Sequence, residues 1–254
     1  MPNTLPTPAA PAQDETRSVL AIPAFRKLWN SMVFSSLGDW LGLLATTALA
    51  AQLSGGSYAT ANFAIAGVFI ARLLPAVFLG PIAGVIADRF DRRKLMVTAD
   101  IFRAGLYISI PIVNTYFWLY AAMILVECLT LFWSPAKEAT VPNLVGKDKL
   151  ESANQASLLA AYGTAPVAAI LFSLLTLFAS AIESLFPFTI GDSVDIALYA
   201  NAATFAFAAF TVWGLKEIPK GAAAGKAKDE NVWKSLHDGW KSVSETKLIR
   251  GLVV

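Results

Sequence analysis

The sequence is short of charge, cysteine and histidine, and each shortage excludes a class of protein. Asp, Glu, Lys and Arg make up only 15% of its 254 residues, against about 25% in an average soluble domain. The single cysteine, Cys128, excludes an internal disulfide framework. Basic and acidic residues nearly balance, at 20 and 18, so the net charge says little about partners. We predict no nucleic-acid partner.

The single histidine, His237, argues against a metal centre. No second metal-binding side chain accompanies it, and we interpret it as a solvated surface residue. The sequence also contains no set of nucleophile and base at a recognisable spacing. It therefore predicts no enzymatic activity, no metal site and no cofactor.

Long apolar runs account for the low charge. Hydrophobic residues make up 56% of the sequence, and they fall in blocks of twenty or more, as in transmembrane helices. Each block is long enough to cross a hydrocarbon core of about 30 Å at about 1.5 Å per residue. We predict an all-α membrane protein whose six transmembrane helices form one bundle, over residues 25–53, 60–87, 95–113, 117–142, 149–180 and 194–215.

The segments outside the 25–215 bundle differ from it in composition. Residues 1–24 are rich in Pro, Ala and polar residues, which predicts a disordered cytoplasmic tail. A cytoplasmic linker is predicted over 216–231, and an amphipathic interfacial helix over 232–245, with Trp233 and Trp240 on its apolar face. Residues 246–254 read as the start of a seventh span. We therefore expect the chain to be the front half of a longer protein.

Lys and Arg are distributed unevenly among the connections between spans. They occur in the tail, in the second–third and fourth–fifth connections, and after the sixth span. The alternate connections contain none, namely SGGSYAT, NTY and AIESLFPFTIGDSVD. Because basic residues favour the cytoplasmic side, we predict a multi-pass protein of the cell membrane with both ends in the cytoplasm.

The connection between the second and third spans, which we call the charged turn, reads GVIADRFDRRK over residues 84–94. Basic residues in a cytoplasmic turn are expected beside anionic lipid, but this does not explain the glycine and the acid. The spacing resembles the signature G-x-x-x-D-R-x-G-R-R of the major facilitator superfamily, with Asp91 in place of the second glycine. The matching residues are Gly84, Asp88, Arg89, Arg92 and Arg93.

Two further stretches look like the exporter branch of this superfamily, which includes drug, macrolide and siderophore efflux proteins. They are FRKLWNSMVFSSLGDWLGLLATTALA and FWSPAKEATVPNLVGKDKLESANQ. The resemblance implies a twelve-helix transporter of two six-helix bundles, which moves a small-molecule substrate across the lipid bilayer by alternating access. It also implies that the charged turn is a gating motif, in which the Asp88 carboxylate meets a helix of the missing C-terminal half.

Other patterns of the superfamily are weak. The R-x-x-Q-G pattern linked to proton coupling is absent from the fourth span, where LVECLT stands. The fifth-span antiporter pattern survives only as YGTAPVAA, with Gly163 and Pro166, and a proline kink explains that stretch equally well. The leading hypothesis is proton-coupled efflux. The alternative is a non-transporting membrane module or scaffold, paired with another chain or fused to a soluble partner.

Ionisable residues inside the spans are candidates for a binding site, because charge at membrane depth normally faces a polar interior. Asp39 and Glu127 are placed near the middle of the membrane, with Arg72 at similar depth. We predict that these three bind substrate or protons, with a purely structural role as the alternative. Polar neighbours expected to line a water-filled cavity are Ser35, Ser36, Thr46, Tyr120 and Thr130.

Depth along the helices also predicts how these charges pair. Arg72 is expected to compensate Asp39, which would leave Glu127 as the titrating acid. Asp100 and Arg103 lie three residues apart on one helix, and we interpret them as a local ion pair that extends the basic cluster of the charged turn.

Overall fold

The computed structural model describes residues 19–185 and 193–218. Within these ranges the chain is helical and contains no strand. The helices are α1 (Pro23–Leu53), α2 (Tyr58–Arg89), α3 (Arg92–Val113), α4 (Tyr116–Val145), α5 (Leu150–Tyr162), α6 (Thr164–Leu185) and α7 (Ser193–Trp213), with a 3₁₀ turn at Lys147–Lys149 before α5. Helices α5 and α6 adjoin at Gly163 and together make the fifth span.

Among residues 19–185 and 193–218, six segments are long and apolar enough to cross a membrane, which confirms the six predicted spans. The fifth is interrupted where the sequence places Gly163 and Pro166. The fourth continues as one helix through Pro135 and Pro142. The predicted linker, interfacial helix and seventh-span start lie outside the described residues, apart from 216–218, as does most of the predicted tail.

Tight connections reverse the chain between α1 and α2 and between α3 and α4. Between α1 and α2 the chain turns through Gly55 and Gly56, whose φ angles of 68° and 88° lie in the left-handed region that glycine tolerates best. Helix α3 ends at Asn114, with φ 47°. Asparagine is among the few residues other than glycine that adopt this conformation readily.

The bundle is built around α1, which packs on α7, α6, α2 and α5. Helix α3 packs on α7 and α4, and α2 packs mainly on α4. Two apolar clusters fill the interior. One includes Phe25, Met32 and Trp133, and the other includes Leu49 and Leu198. Along α1, α3 and α4 the clusters are separated by short stretches that carry the ionisable side chains, so the polar residues lie between two apolar layers.

Glycines allow α1 to approach its partners closely. A Cβ atom on Gly38 would lie 2.5 Å from Thr204 Oγ1, and one on Gly42 would lie 2.7 Å from both Tyr107 Cζ and Asn201 Nδ2. Both glycines are buried. Small residues at such positions are the usual means of close helix packing in membranes, and here they let α1 pack closely on α7 and on the Tyr107 side chain of α3.

Candidate functional site

Five ionisable side chains from α1, α2, α3 and α4 meet between the two apolar clusters. They form one connected set of ion pairs and hydrogen bonds, which we call the central charge network. Three carboxylates face two guanidinium groups, so the formal charge of the network is −1 when every group is ionised. Its members are Asp39, Arg72, Asp100, Arg103 and Glu127.

The first part of the network joins α2 to α4. Arg72 Nε lies 2.8 Å from Glu127 Oε1, and both side chains are largely buried. Arg72 also donates through Nη1 to the backbone carbonyl of Asp39, at 3.3 Å. The expectation that Arg72 compensates the Asp39 carboxylate is therefore wrong. Helix α2 packs chiefly on α4, which brings the Arg72 guanidinium to the Glu127 carboxylate.

The second part of the network is centred on Arg103, whose side chain is fully buried. Its Nη2 pairs with Asp100 Oδ1, as the spacing on α3 predicts. Its Nη1 also lies 3.5 Å from Asp39 Oδ1 on α1. The pair does not extend the charged turn, contrary to expectation, because Arg103 reaches the middle of the bundle and meets a second carboxylate there.

Asp100 and Asp39 are held to very different degrees. Asp100 is fully buried, with one oxygen against Arg103 and the other accepting a hydrogen bond from Trp133 Nε1 at 3.1 Å. The Asp39 side chain is 30% exposed, and its contact with Arg103 is long. Because the strong partner of Arg103 is Asp100, Asp39 is the least compensated carboxylate of the network. Depth along the helices predicts that property for Glu127 instead, and this prediction is wrong because Glu127 has Arg72 as its partner.

Asp39 faces a cavity of about 360 Å³ that is bounded by α1, α2 and the C-terminal end of α5. We call it the central cavity. Trp40, which shares the cavity wall, donates through Nε1 to the Ala161 carbonyl at 2.8 Å and so ties α1 to α5. The wall combines one carboxylate and one guanidinium with aromatic and aliphatic surface. Its residues are Ser36, Asp39, Trp40, Leu43, Phe69, Arg72, Leu73, Ala161 and Tyr162.

The other side chains predicted to line a cavity have different environments. Ser35 and Thr130 receive hydrogen bonds from Arg103, at 3.2 and 3.4 Å. Thr46 donates to the Gly42 carbonyl at 2.6 Å, and Tyr120 donates to the Ala64 carbonyl at 3.1 Å. Of the predicted set, only Ser36 is among the described lining residues of the central cavity.

Comparison with known proteins identifies the family. A family model described as "Transmembrane secretion effector" matches residues 15–254. This chain belongs to the major facilitator superfamily. The resemblance carried by the charged turn and the first span is thereby confirmed.

The relatives of this major facilitator protein are named as transporters. It is 33% identical over 126 residues to the uncharacterized MFS-type transporter YfiS of Bacillus subtilis, which covers 50% of this chain and 29% of the relative. It is 33% identical over 109 residues to macrolide efflux protein A of Enterococcus faecalis, covering 39% and 34%. It is 26% identical over 197 residues to the putative bacilysin exporter BacE of Bacillus subtilis, covering 76% and 44%. The chain thus spans less than half the length of these relatives.

The charged turn of this major facilitator protein needs no second glycine. Asp91 has φ −63°, outside the left-handed region, and it acts as the N-cap of α3 by accepting a hydrogen bond from the Lys94 backbone N–H at 3.1 Å. Arg92 donates to the Ala139 carbonyl of α4 at 3.0 Å, and Arg93 donates to the Trp213 carbonyl at the end of α7. The arginines thus fasten the turn to two neighbouring helices. The side chains of Asp88 and Arg89 lie outside the part of the chain that the structure describes.

Proposed function

We propose that this protein is the N-terminal six-helix half of a secondary active transporter that exports a small molecule in exchange for protons. Membership of the major facilitator superfamily supports transport, and two relatives are named for efflux or export. The match to less than half of each relative supports a second half of similar size. Alternating access follows, because two bundles can rock around one central site.

The proton site in this proposal is Asp39. The observation that carries it is the difference between the two carboxylates that share Arg103. Asp100 is fully buried and is held by both Arg103 and Trp133. Asp39 is partly exposed to the central cavity and only weakly paired with Arg103. A carboxylate that faces a water-filled cavity and lacks a full counter-ion can bind either a proton or a cationic group of a substrate. Competition between those two ligands for one site would couple export to proton entry.

Arg72 and Glu127 have a supporting role in the same site. Their 2.8 Å ion pair is neutral overall and joins α2 to α4 beside the central cavity. Arg72 lines that cavity, so its remaining donors can reach a polar group of the substrate. We therefore keep Asp39, Arg72 and Glu127 as the substrate- or proton-binding residues, with the proton assigned to Asp39.

The charged turn supplies the proposed gate. Gly84, Asp88 and Arg89 lie in the last turns of α2, directly before the turn that Arg92 and Arg93 fasten to α4 and α7. This anchoring would hold Asp88 at a fixed place on the cytoplasmic face, opposite the second bundle. The distribution of Lys and Arg supports a cytoplasmic N-terminus and location in the cell membrane.

The proposal is tested by comparing proton-driven transport by the wild-type protein and by the Asp39→Asn variant. The full-length protein is reconstituted in vesicles, and uptake of a radiolabelled macrolide into inverted vesicles is measured under a proton gradient. We expect Asp39→Asn to lower gradient-driven uptake at least about tenfold, because an amide cannot exchange a proton. The matched control is Glu138→Gln, whose side chain is 69% exposed and which should transport normally.

Two outcomes of this assay would overturn the proposal. One is gradient-driven uptake by Asp39→Asn at the wild-type rate with the wild-type pH dependence. The other is wild-type uptake that an ionophore leaves unchanged, which would mean that no proton gradient is used. If the macrolide is not taken up by the wild-type protein at all, proton release on adding a panel of candidate amines to the purified protein replaces the uptake assay. Release from wild-type protein but not from Asp39→Asn is then expected, and absence of release with every amine contradicts the proposal.

A further inference from the structure

We infer that Arg103 is a positioning residue for Asp39, and that it divides its guanidinium group between Asp39 and Asp100 and so sets how tightly Asp39 holds its proton. The inference rests on the proposed exchange of a proton at Asp39. Neither the superfamily signature nor the names of the relatives assigns a role to Arg103, and its three-residue spacing from Asp100 predicts only a local ion pair.

Hydrogen bonds hold the Arg103 guanidinium group between the carboxylates of Asp39 and Asp100. Nη2 faces Asp100 and Ser35 Oγ, while Nη1 faces Asp39 and Thr130 Oγ1. These partners come from α1, α3 and α4. Each of the two terminal nitrogens therefore has one carboxylate and one hydroxyl oxygen as acceptors.

Two aromatic rings enclose the same cation. The Arg103 guanidinium carbon lies 4.5 Å from the ring centroid of Phe205 on α7 and 5.4 Å from that of Trp133 on α4. The side chain is shielded from solvent on every side. It differs in this from a surface ion pair, where long side chains are free to move apart.

Each helix packed around Asp39 contributes to its electrostatic setting. Helix α2 supplies Arg72, α4 supplies Glu127, and α5 supplies the phenol of Tyr162 at the cavity wall. Helix α7 supplies the neutral ring of Phe205. In the sequence of α6 the only ionisable residue is a glutamate near its C-terminal end, Glu183.

Helix α3 supplies the remaining groups, namely Asp100, Arg103 and Tyr107. Two of the groups around Asp39 are cations, Arg72 and Arg103. Arg72 pairs with Glu127 and reaches the backbone carbonyl of Asp39, whereas Arg103 contacts the Asp39 carboxylate itself at 3.5 Å. Arg103 is therefore the cation that acts most directly on that carboxylate.

Because Arg103 on α3 is shared between Asp39 on α1 and Asp100 on α3, a change of charge at Asp39 affects both α1 and α3. An ionised Asp39 attracts Nη1 and draws α1 and α3 together, whereas a protonated Asp39 leaves Arg103 to Asp100 alone. Asp100 lies eight residues after Arg92, about 12 Å along α3 at about 1.5 Å per residue. Loss or gain of a proton at Asp39 is thereby communicated to the helix that begins at the charged turn.

The test measures proton binding at Asp39 directly, without transport. The full-length protein in lipid nanodiscs is titrated by infrared difference spectroscopy, and the carbonyl band of the protonated acid is assigned to Asp39 by its loss in Asp39→Asn. The informative variant is Asp100→Asn with Arg103→Gln, which removes both charges of the buried pair and so avoids stranding either one. The matched control is Lys94→Gln, which removes a cation from the same helix, nine residues before Arg103.

We expect the double variant to raise the midpoint of the Asp39 titration by about half a pH unit or more, because a carboxylate that loses a nearby cation binds its proton more tightly. The simultaneous loss of the Asp100 carboxylate opposes this shift but does not cancel it, because Arg103 is the group in direct contact with the Asp39 carboxylate. Arg103→Lys should give a smaller shift, because one ammonium group keeps the charge but cannot reach both acids as a planar fork does. Lys94→Gln should leave the midpoint unchanged.

A wild-type midpoint in the double variant would overturn the inference, because Arg103 would then serve only to neutralise Asp100. This failure is distinguishable from failure of the proposed function. Normal efflux by Asp39→Asn would refute the proton-exchange role of Asp39 and leave the titration result intact. A shifted midpoint together with abolished efflux in Asp39→Asn supports both.

Discussion

Arg72→Gln is expected to remove most of the folded protein from the membrane. The substitution leaves Glu127 as an uncompensated carboxylate in the apolar part of α4, where its partner now lies 2.8 Å away. Breaking a buried ion pair by removing one partner typically costs about 3–5 kcal/mol, which is a large part of the stability of most domains. Membrane abundance and the thermal stability of the purified full-length protein measure the effect.

The double variant Arg72→Gln with Glu127→Gln separates loss of the pair from loss of one partner. Both charges are then gone, the two amides can hydrogen-bond with each other, and most of the lost abundance should return. Lys137→Gln is the control, because its ion pair with Glu138 spans 3.9 Å and its partner is exposed. If Arg72→Gln is as stable as the wild type, or if the double variant is no better than the single one, the Arg72–Glu127 pair does not exist as described.

Gly42→Ala is expected to push α1 away from α7 and from the Tyr107 side chain of α3. The added methyl group would lie 2.7 Å from Tyr107 Cζ and 2.7 Å from Asn201 Nδ2, well inside van der Waals contact. Tyr107 has little room to move, because it is fully buried and its ring stacks on Phe205 with 5.5 Å between centroids. Overpacking of this kind typically costs about 1–3 kcal/mol. A lower melting temperature of the purified protein is the expected result.

Gly105→Ala is the matched control for this substitution. Gly105 also lies within a membrane-spanning helix, but a Cβ atom there would meet no described atom within 4 Å. Replacing a helical glycine by alanine where space allows is neutral or stabilising, by up to about 1 kcal/mol. Equal melting temperatures for Gly42→Ala and the wild type would show that α1 does not approach Tyr107 and α7 as closely as the structure indicates.

The number and placement of the helices could be predicted from the sequence, because a membrane span needs about twenty apolar residues and leaves a pattern that hydropathy alone detects. The run predicted over 25–53 is the helix Pro23–Leu53, and the run predicted over 95–113 is Arg92–Val113. The charged turn could be recognised as well, because its spacing is local. The role of Asp91 as a helix cap follows from the same local sequence, and a capping residue before Arg92 is a readable signal.

The pairing of the buried charges could not be predicted, because depth along a helix does not determine which neighbour a side chain faces. Arg72 and Asp39 lie at similar depth, yet α2 packs chiefly on α4 and the Arg72 side chain meets Glu127. Rotation of each helix about its axis depends on contacts between residues far apart in sequence. The fully buried Tyr107 gave no signal of its position either, since an aromatic residue in an apolar run is ordinary.

The position of Arg103 could have been predicted. Arg103 lies eleven residues after Arg92, which is about 16 Å along α3 at about 1.5 Å per residue. That depth is comparable to the depth expected for Asp39 and Glu127, so Arg103 belongs with them and not with the charged turn. A count of intramembrane charge by depth, before any pairing by proximity in sequence, places all five residues of the central charge network in one layer.

Proton binding at Asp39 is tested most directly by the reactivity of the intramembrane carboxyl groups toward dicyclohexylcarbodiimide. This apolar reagent modifies protonated acids in membrane interiors, and peptide mass spectrometry of the full-length protein locates each adduct. Asp39 is partly exposed to the central cavity and weakly paired, while Asp100 is fully buried and Glu127 is paired with Arg72. We therefore predict an adduct on Asp39 that fades as the pH rises. An adduct on Glu127 or Asp100 with Asp39 unmodified would contradict it.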